Sequence, residues 1–160
     1  MPIRALQESD WDAVKDIYIQ GIQTGMATFE TEVPEWSVWI EARIPGSSFV
    51  FEKDNQVLGW ATLSPYSSRC VYQGVGEVSI YMHENARGKG YGKLLLQHLV
   101  EQSEKLGIWT LQAGIFPENE GSIHLHKLFG FREMGTSLKL GKLNGVWKDV
   151  LHLERRSDKI

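Results

Sequence analysis

The sequence predicts a mixed α/β domain, an α+β arrangement in which helices cover the faces of one sheet. Three observations carry this reading. The element order is mixed: a strand and helices first, then a meander of strands, then strand, glycine loop, helix, strand and helix, then a hairpin. The segment Glu77 to His83 alternates, with Val78, Ile80 and Met82 pointing one way and Glu77, Ser79, Tyr81 and His83 the other, as in a strand. Three glycines, Gly88, Gly90 and Gly92, stand directly before a leucine-rich run, and Gly107 falls where a helix C-terminal cap belongs. The chain has 160 residues, and residues 1–160 are read as a single domain. That length buries a proper core without covalent staples.

Each element has its own local reason. Ile3 to Leu6 reads as a short opening strand. Ser9 and Asp12 are spaced like a capping box, and Val14, Ile17 and Tyr18 then recur at helical spacing. Gly21 to Pro34 is a long connection with two glycines, ending in proline. "EWSVWIEAR" forms a short helix stopped by Pro45-Gly46. In it Trp36 and Trp39, at helical spacing, are expected in the core or at a dimer contact. "SFVFEKDNQVLGWATLSP" is two strands around a polar turn at Lys53 to Gln56. "YSSRCVYQGVG" fits no single element. "WTLQAGIF" is a strand broken by Pro117, and "ENEGSIHLHKLFGF" is a short helix ending at Gly130. Asn144-Gly145 is a strong hairpin signal between two closing strands. "ERRSDKI" reads as a solvated tail.

Composition narrows the function. The net charge of −3 argues against general nucleic-acid binding. The single cysteine, Cys70, forms no intrachain disulfide and cannot build a thiolate metal site alone. No metal is expected. No apolar run approaches the roughly 20 residues of a membrane span, and "MPIRALQESDW" lacks an apolar signal core. The expected location is the cytoplasm, with no membrane partner.

The glycine stretch suggests an anion site. Glycine lets the backbone turn tightly beside a ligand. The first N–H groups of a helix lack internal partners and sit at its positive end. A phosphate suits that position. The stretch is not a Walker loop, because Gly92-Lys93 is followed by Leu94. Nor does it have dinucleotide-fingerprint spacing, because the last glycine gap is one residue short.

Arg87-Gly88-Lys89-Gly90-Tyr91-Gly92 fits the pattern Arg/Gln-x-x-Gly-x-Gly/Ala between an alternating strand and a leucine-rich helix. With "TLQAGIFPEN", Asn119 and "SIHLHKLFGF" downstream, it resembles the acetyl-CoA site of the GNAT N-acyltransferase superfamily. "GMATFETE", "GWATLSPYSSRCVY", "GEVSIYMHENARGKGYGKLLL" and "GVWKDVLHLER" are similar to the phosphinothricin/methionine sulfoximine acetyltransferase subfamily. The resemblance covers nearly the whole chain. It implies a central mixed, mostly antiparallel sheet flanked by helices. It also implies acetyl transfer from acetyl-CoA to the α-amine of a small amino-acid-like acceptor, and a homodimer.

The resemblance gives the residues roles. Gly88, Gly90 and Gly92 would hold the coenzyme A pyrophosphate, with charge from Arg87, Lys89 and Lys93, and Tyr91 inside the same loop. Ile80, Tyr81 and Met82 would run beside the pantetheine arm. Asn119 would contact the cofactor, and it also suits a helix cap. Amine acylation needs a neutral amine, so a base must take a proton; Glu77, at the start of the cofactor strand, is the candidate. His126 stands where many relatives carry a tyrosine. It would donate a proton to the departing thiolate or hydrogen-bond the cofactor, and a packed helical histidine is the alternative. Tyr81 and Tyr91 are weaker candidate acids. For the acceptor's carboxylate, Arg69 offers a planar fork beside Tyr72. Phe29, Glu30 and Thr31 would line the acceptor wall. Cys70 has no base beside it and reads as a packed small residue. Direct transfer between two bound substrates is the simpler mechanism. The alternatives are another amine or a protein N-terminus as acceptor, and a non-catalytic acyl-CoA sensor.

Overall fold

The computed structural model describes residues 2–160. Seven strands form one sheet in the order β1-β2-β3-β4-β5-β7-β6. They are β1 (Ile3–Ala5), β2 (Phe49–Lys53), β3 (Gln56–Pro65), β4 (Val75–Met82), β5 (Thr110–Ile115), β6 (Arg132–Leu143) and β7 (Val146–Arg156). Every neighbouring pair is antiparallel except β4 and β5. The helices are α1 (Trp11–Gln23), α2 (Trp36–Glu41), α3 (Tyr91–Lys105) and α4 (Glu120–Leu128).

The helices divide between the two faces. Leu95, Leu96 and Leu99 of α3 bury against Phe51, Leu63, Leu111 and Leu153 of the sheet. On the opposite face, Val14, Ile17 and Tyr18 of α1 and Trp39 of α2 pack on Val50 and Trp60. The core therefore lies in two layers with the sheet between them. Trp39 is fully buried, while Trp36 stacks at its margin 6.1 Å away.

Turn chemistry matches expectation at two tight hairpins. Asp54 and Asn55 have φ of 52° and 61°, and Asn144 and Gly145 have 50° and 81°. Consecutive positive φ values twist the chain with the strands it joins.

Two local expectations are corrected, and one segment left open by the sequence takes a definite form. The reciprocal contact before α1 is made by Asp10, not Ser9: Oδ2 of Asp10 accepts the Gln7 N–H at 2.8 Å. Asp10 wins because Arg4 already fixes its carboxylate through two bonds of 2.8 Å. The segment from Ser67 to Gly74 forms a loop with a single 3₁₀ turn at Cys70–Tyr72. The "ERRSDKI" tail is not solvated at its start. Glu154 to Arg156 belong to β7, and the buried Ser157 hydroxyl donates to Glu104 at 2.6 Å.

Candidate active site

The site begins where β4 and β5 part. They pair over only three residues each, Val75 to Glu77 with Thr110 to Gln112. Beyond that, β4 continues to Met82 beside β3, and β5 continues to Ile115 beside β7. The gap between them opens the sheet from the inside.

Antiparallel pairing alternates, so the register tells which main-chain groups face the gap. The Val75 carbonyl accepts from Tyr66 N, and His83 N donates to the Leu58 carbonyl. The odd-numbered residues of β4 thus spend their backbone groups on β3. Those of Val78, Ile80 and Met82 turn toward the gap. Tyr81 was expected to run beside the pantetheine arm, but its main chain is committed to Trp60 across the pair. It reaches the cleft through its side chain, stacked on Trp60 at 4.6 Å. Burial pushes its phenol well above the usual tyrosine range, so it is held neutral and makes a poor acid.

One half of the cleft, about 500 Å³, runs from Ile80, Tyr81 and Met82 past the glycine loop to α4. Of the residues expected to hold the cofactor, Arg87, Gly88, Gly90, Tyr91, Gly92, Lys93 and Asn119 line it, whereas Lys89 is exposed outside the lining. Gly88 and Gly90 have φ of 77° and 81°, and a Cβ on either would touch nothing. Their requirement is the left-handed turn, not space. Leu94 N is the first to bond back into α3, to the Gly90 carbonyl, so the N–H groups just before it open the helix without such a partner. Tyr91 is fixed by stacking on Phe51 at 4.4 Å and by Lys53 Nζ, 3.0 Å from its hydroxyl.

The other half, about 360 Å³, shares Met26, Ala27, Ile80, Tyr81, Asn119 and Ser122 with the first. Glu77, Phe29 and His126 line it. The connection expected from Gly21 starts only at Thr24, because α1 runs on to Gln23. Phe29 packs edge-on against Phe116 at 4.9 Å and places that connection over the opening. Asn119 caps α4 by accepting from Ser122 N at 3.3 Å, and its amide donates to the Met26 carbonyl at 3.4 Å. That residue ties the roof to the wall.

His126 is 2% exposed. Its Nδ1 lies 2.7 Å from the Ser122 carbonyl oxygen. A carbonyl only accepts, so Nδ1 carries the proton. Burial pushes the imidazole pKa down, and the ring is neutral. Nε2 is then a bare acceptor, buried without a partner among the described residues.

The remaining expected residues lie apart. Glu30 and Thr31 are exposed and outside the lining. Glu30 still acts at a distance: burial is what mainly raises the phenol pKa of Tyr18 and Tyr81, and the Glu30 charge adds to it. Arg69 sits 5.5 Å over the Tyr72 ring, also outside the lining. Their loop joins the Ser64 end of β3 to the Glu77 end of β4, and both of those ends line the acceptor half. Cys70 is exposed, not packed. The sequence reading missed Ser64, Met26 and His152 in the lining. For His152 the only signal is its alternation with Leu151 and Leu153, which says nothing until the strand's neighbour is known.

A mixed sheet split beside a helix N-terminus, with a carboxylate at the fork, is an arrangement suited to a transferase that holds a phosphate-bearing acyl carrier. The chain belongs to the Acetyltransferase (GNAT) family, which it matches over residues 11–131. It is 28% identical to the L-methionine sulfoximine/L-methionine sulfone acetyltransferase of Salmonella typhimurium, over 99% of this chain and 95% of that one. The crystal structure of a GNAT superfamily phosphinothricin acetyltransferase from Sinorhizobium meliloti, in complex with AcCoA, is 30% identical. It superposes with a TM-score of 0.88 over 98% of this chain and 89% of that one. The ribosomal-protein-alanine N-acetyltransferase of Brucella melitensis is 31% identical, with a TM-score of 0.92 over 98% and 100%. The chain is an acetyl-CoA-dependent N-acetyltransferase of the GNAT family.

The residues fit the cofactor. Unpaired N–H groups at the start of α3, two left-handed glycines and the Arg87 and Lys93 charges suit a pyrophosphate. The gap-facing amides of β4 suit an extended arm that carries amides of its own. Among the described residues, no cluster of His, Cys, Asp and Glu could hold a metal ion.

Proposed function

We propose that the protein acetylates the α-amine of a small amino-acid-like acceptor of the phosphinothricin, methionine sulfoximine or methionine sulfone type. The observation that carries this is the continuity of the two halves through the β4–β5 gap, with Glu77 at the fork. Bound acetyl-CoA supplies an activated acetyl group as a thioester.

Glu77 takes the proton that the acceptor ammonium must lose, directly or through water. Its partners across the sheet, Ser64 and Gln112, carry no charge, so nothing beside it in the sheet competes for that proton. The N–H groups of Val78, Ile80 and Met82 are fixed in the sheet and stabilise negative charge that develops on the acyl oxygen. Preorganised donors cost no reorganisation at that moment. His126 accepts a hydrogen bond at Nε2 from a bound N–H or O–H. Acting instead as a proton donor would require charging a buried ring. Both substrates sit in the cleft at once, because the only thiol, Cys70, lies outside it. Arg69 has no carboxylate partner among the described residues, and it meets the acceptor's carboxylate from the rim. Phe29 packs on the acceptor side chain, and Glu30 and Thr31 flank the entrance.

The working form is a homodimer in the cytoplasm. Leu138, Leu140, Val146 and Trp147 on the β6–β7 hairpin are each more than half exposed, an apolar surface that suits a second copy. An exposed free thiol suits a reducing compartment.

A second reading, acetylation of a protein N-terminal alanine, is favoured by the likeness to the Brucella melitensis structure. The test is thiol release from acetyl-CoA against a panel, with products identified by mass. Turnover of the sulfone, sulfoximine or phosphinothricin supports the first reading. Turnover of an alanine-ended peptide alone selects the second.

A further inference from the structure

The β5–β7 register sets a second polar group facing the acceptor. Glu77, Gln112 and Glu154 lie side by side across β4, β5 and β7. One row further along β7, on the same face, stands His152, opposite Gly114 of β5. Gly114 has no side chain, so none stands between the imidazole and the gap. Leu151 and Leu153 turn the other way into the core.

His152 lines the acceptor half and is held there. Its Nε2 lies 2.9 Å from the Ser137 hydroxyl of β6. Its Nδ1 makes no hydrogen bond among the described residues. Around this pair the wall is apolar: Phe29, Phe116, Leu140 and Val150. Glu77 and His152 are two strand spacings of about 4.8 Å and one two-residue step of about 6.7 Å apart, so about 12 Å between Cα atoms. Two side chains reaching inward leave a span that suits an amino acid, with its amine at Glu77 and the tip of its side chain at His152.

We propose that His152, steadied by Ser137, determines acceptor specificity by hydrogen-bonding an oxygen-bearing group at the end of the acceptor's side chain. This rests on the amino-acid reading above and adds a residue to it. When the Ser137 hydroxyl donates to Nε2, Nδ1 carries the imidazole N–H, and an apolar tip that desolvates it takes away its water and gives nothing in return. A sulfone, sulfoximine or phosphinate oxygen replaces that water. The site should therefore separate side chains of equal length by their polarity.

The decisive comparison is L-methionine sulfone against L-methionine, which differ only in the two sulfone oxygens. The full chain and acetyl-CoA are used, and kcat/KM is measured for each acceptor. In His152→Phe the sulfone-to-methionine ratio should fall by about 3- to 10-fold, the range of one lost hydrogen bond. His152→Gln, which keeps a donor, should recover much of the ratio. Ser137→Ala should move it the same way by less, and through KM. Thermal unfolding and acetyl-CoA affinity check that each variant is folded. A ratio within about two-fold of wild type in His152→Phe overturns the inference. So does an equal fall for both acceptors, which would make His152 a general part of the machinery. If the wild type acetylates neither compound, the amino-acid reading itself fails and this inference falls with it.

Discussion

The Nδ1 atom of His126 lies 2.7 Å from the carbonyl oxygen of Ser122, one turn earlier on α4. That contact fixes the tautomer, and burial keeps the ring uncharged. The folded pKa is thus below the unfolded value of about 6.5. Above that pH both states are neutral and the stability is fully present. As pH falls below it, the unfolded chain takes a proton that the folded one refuses, and stability drops by up to about 1.4 kcal/mol per pH unit. His126→Asn keeps a donor for Ser122 and removes the titration. Denaturant unfolding of both proteins from pH 7.5 downward should show a shallower loss in the variant. Equal slopes would mean that the ring is protonated in the folded state.

Glu77→Gln keeps the shape of the residue and removes the base. The expected result is a fall in kcat/KM for the acceptor of about 10²- to 10⁴-fold. Acetyl-CoA binding, followed by calorimetry, should be unchanged. Loss of cofactor affinity instead would make Glu77 a structural residue of the fork.

Gly90 and Gly121 separate backbone strain from space. A Cβ on either meets nothing, but only Gly90 has a left-handed backbone, at φ 81°. Gly90→Ala should cost about 1–2 kcal/mol of stability and weaken acetyl-CoA binding. Gly121→Ala, within α4, should be neutral or stabilising by about 1 kcal/mol. A Gly90→Ala protein with native acetyl-CoA affinity would contradict the role given to the loop.

Gly21 on α1 is different again. A Cβ there would stand 2.6 Å from the Tyr81 ring. Tyr81 is clamped between Tyr18 and Trp60 and lines both halves of the cleft. Gly21→Ala should destabilise by about 1–3 kcal/mol, the usual cost of overpacking. It should also raise KM for both substrates together. Unchanged kinetics would show that the ring can step aside.

Arg69→Ala tests the carboxylate partner. KM for the amino acid should rise about tenfold or more, consistent with a lost charged hydrogen bond. KM for acetyl-CoA should not change. If neither constant moves, the carboxylate is held elsewhere.

Much of this was legible in the sequence because the signals were local. The alternation of Glu77 to His83, the glycines before α3 and the Asn144-Gly145 turn each encode backbone geometry within a few residues. Such signals point to an anion site, the family resemblance supplies the other cofactor residues, and all of them except Lys89 line that half of the cleft. The acceptor half depends on long-range pairing. His152 joins it only because β7 inserts between β5 and β6, which no local pattern reveals. Phe29 was foreseeable from the resemblance, yet its contact with Phe116 belongs to tertiary packing. Arg69 illustrates the limit of residue chemistry: a guanidinium suited to a carboxylate stands at the rim, against Tyr72.

A seven-stranded sheet ordinarily has two edges, and each is a hazard because it can recruit a strand from another chain. The parting of β4 and β5 gives this sheet two more, hidden inside the molecule. They are too enclosed by α4 and the connection between α1 and α2 to template aggregation, yet they keep their hydrogen-bonding capacity. The fold has turned what is normally a liability of β-structure into a docking rail, and only a slender chain with peptide-like groups can slide along it.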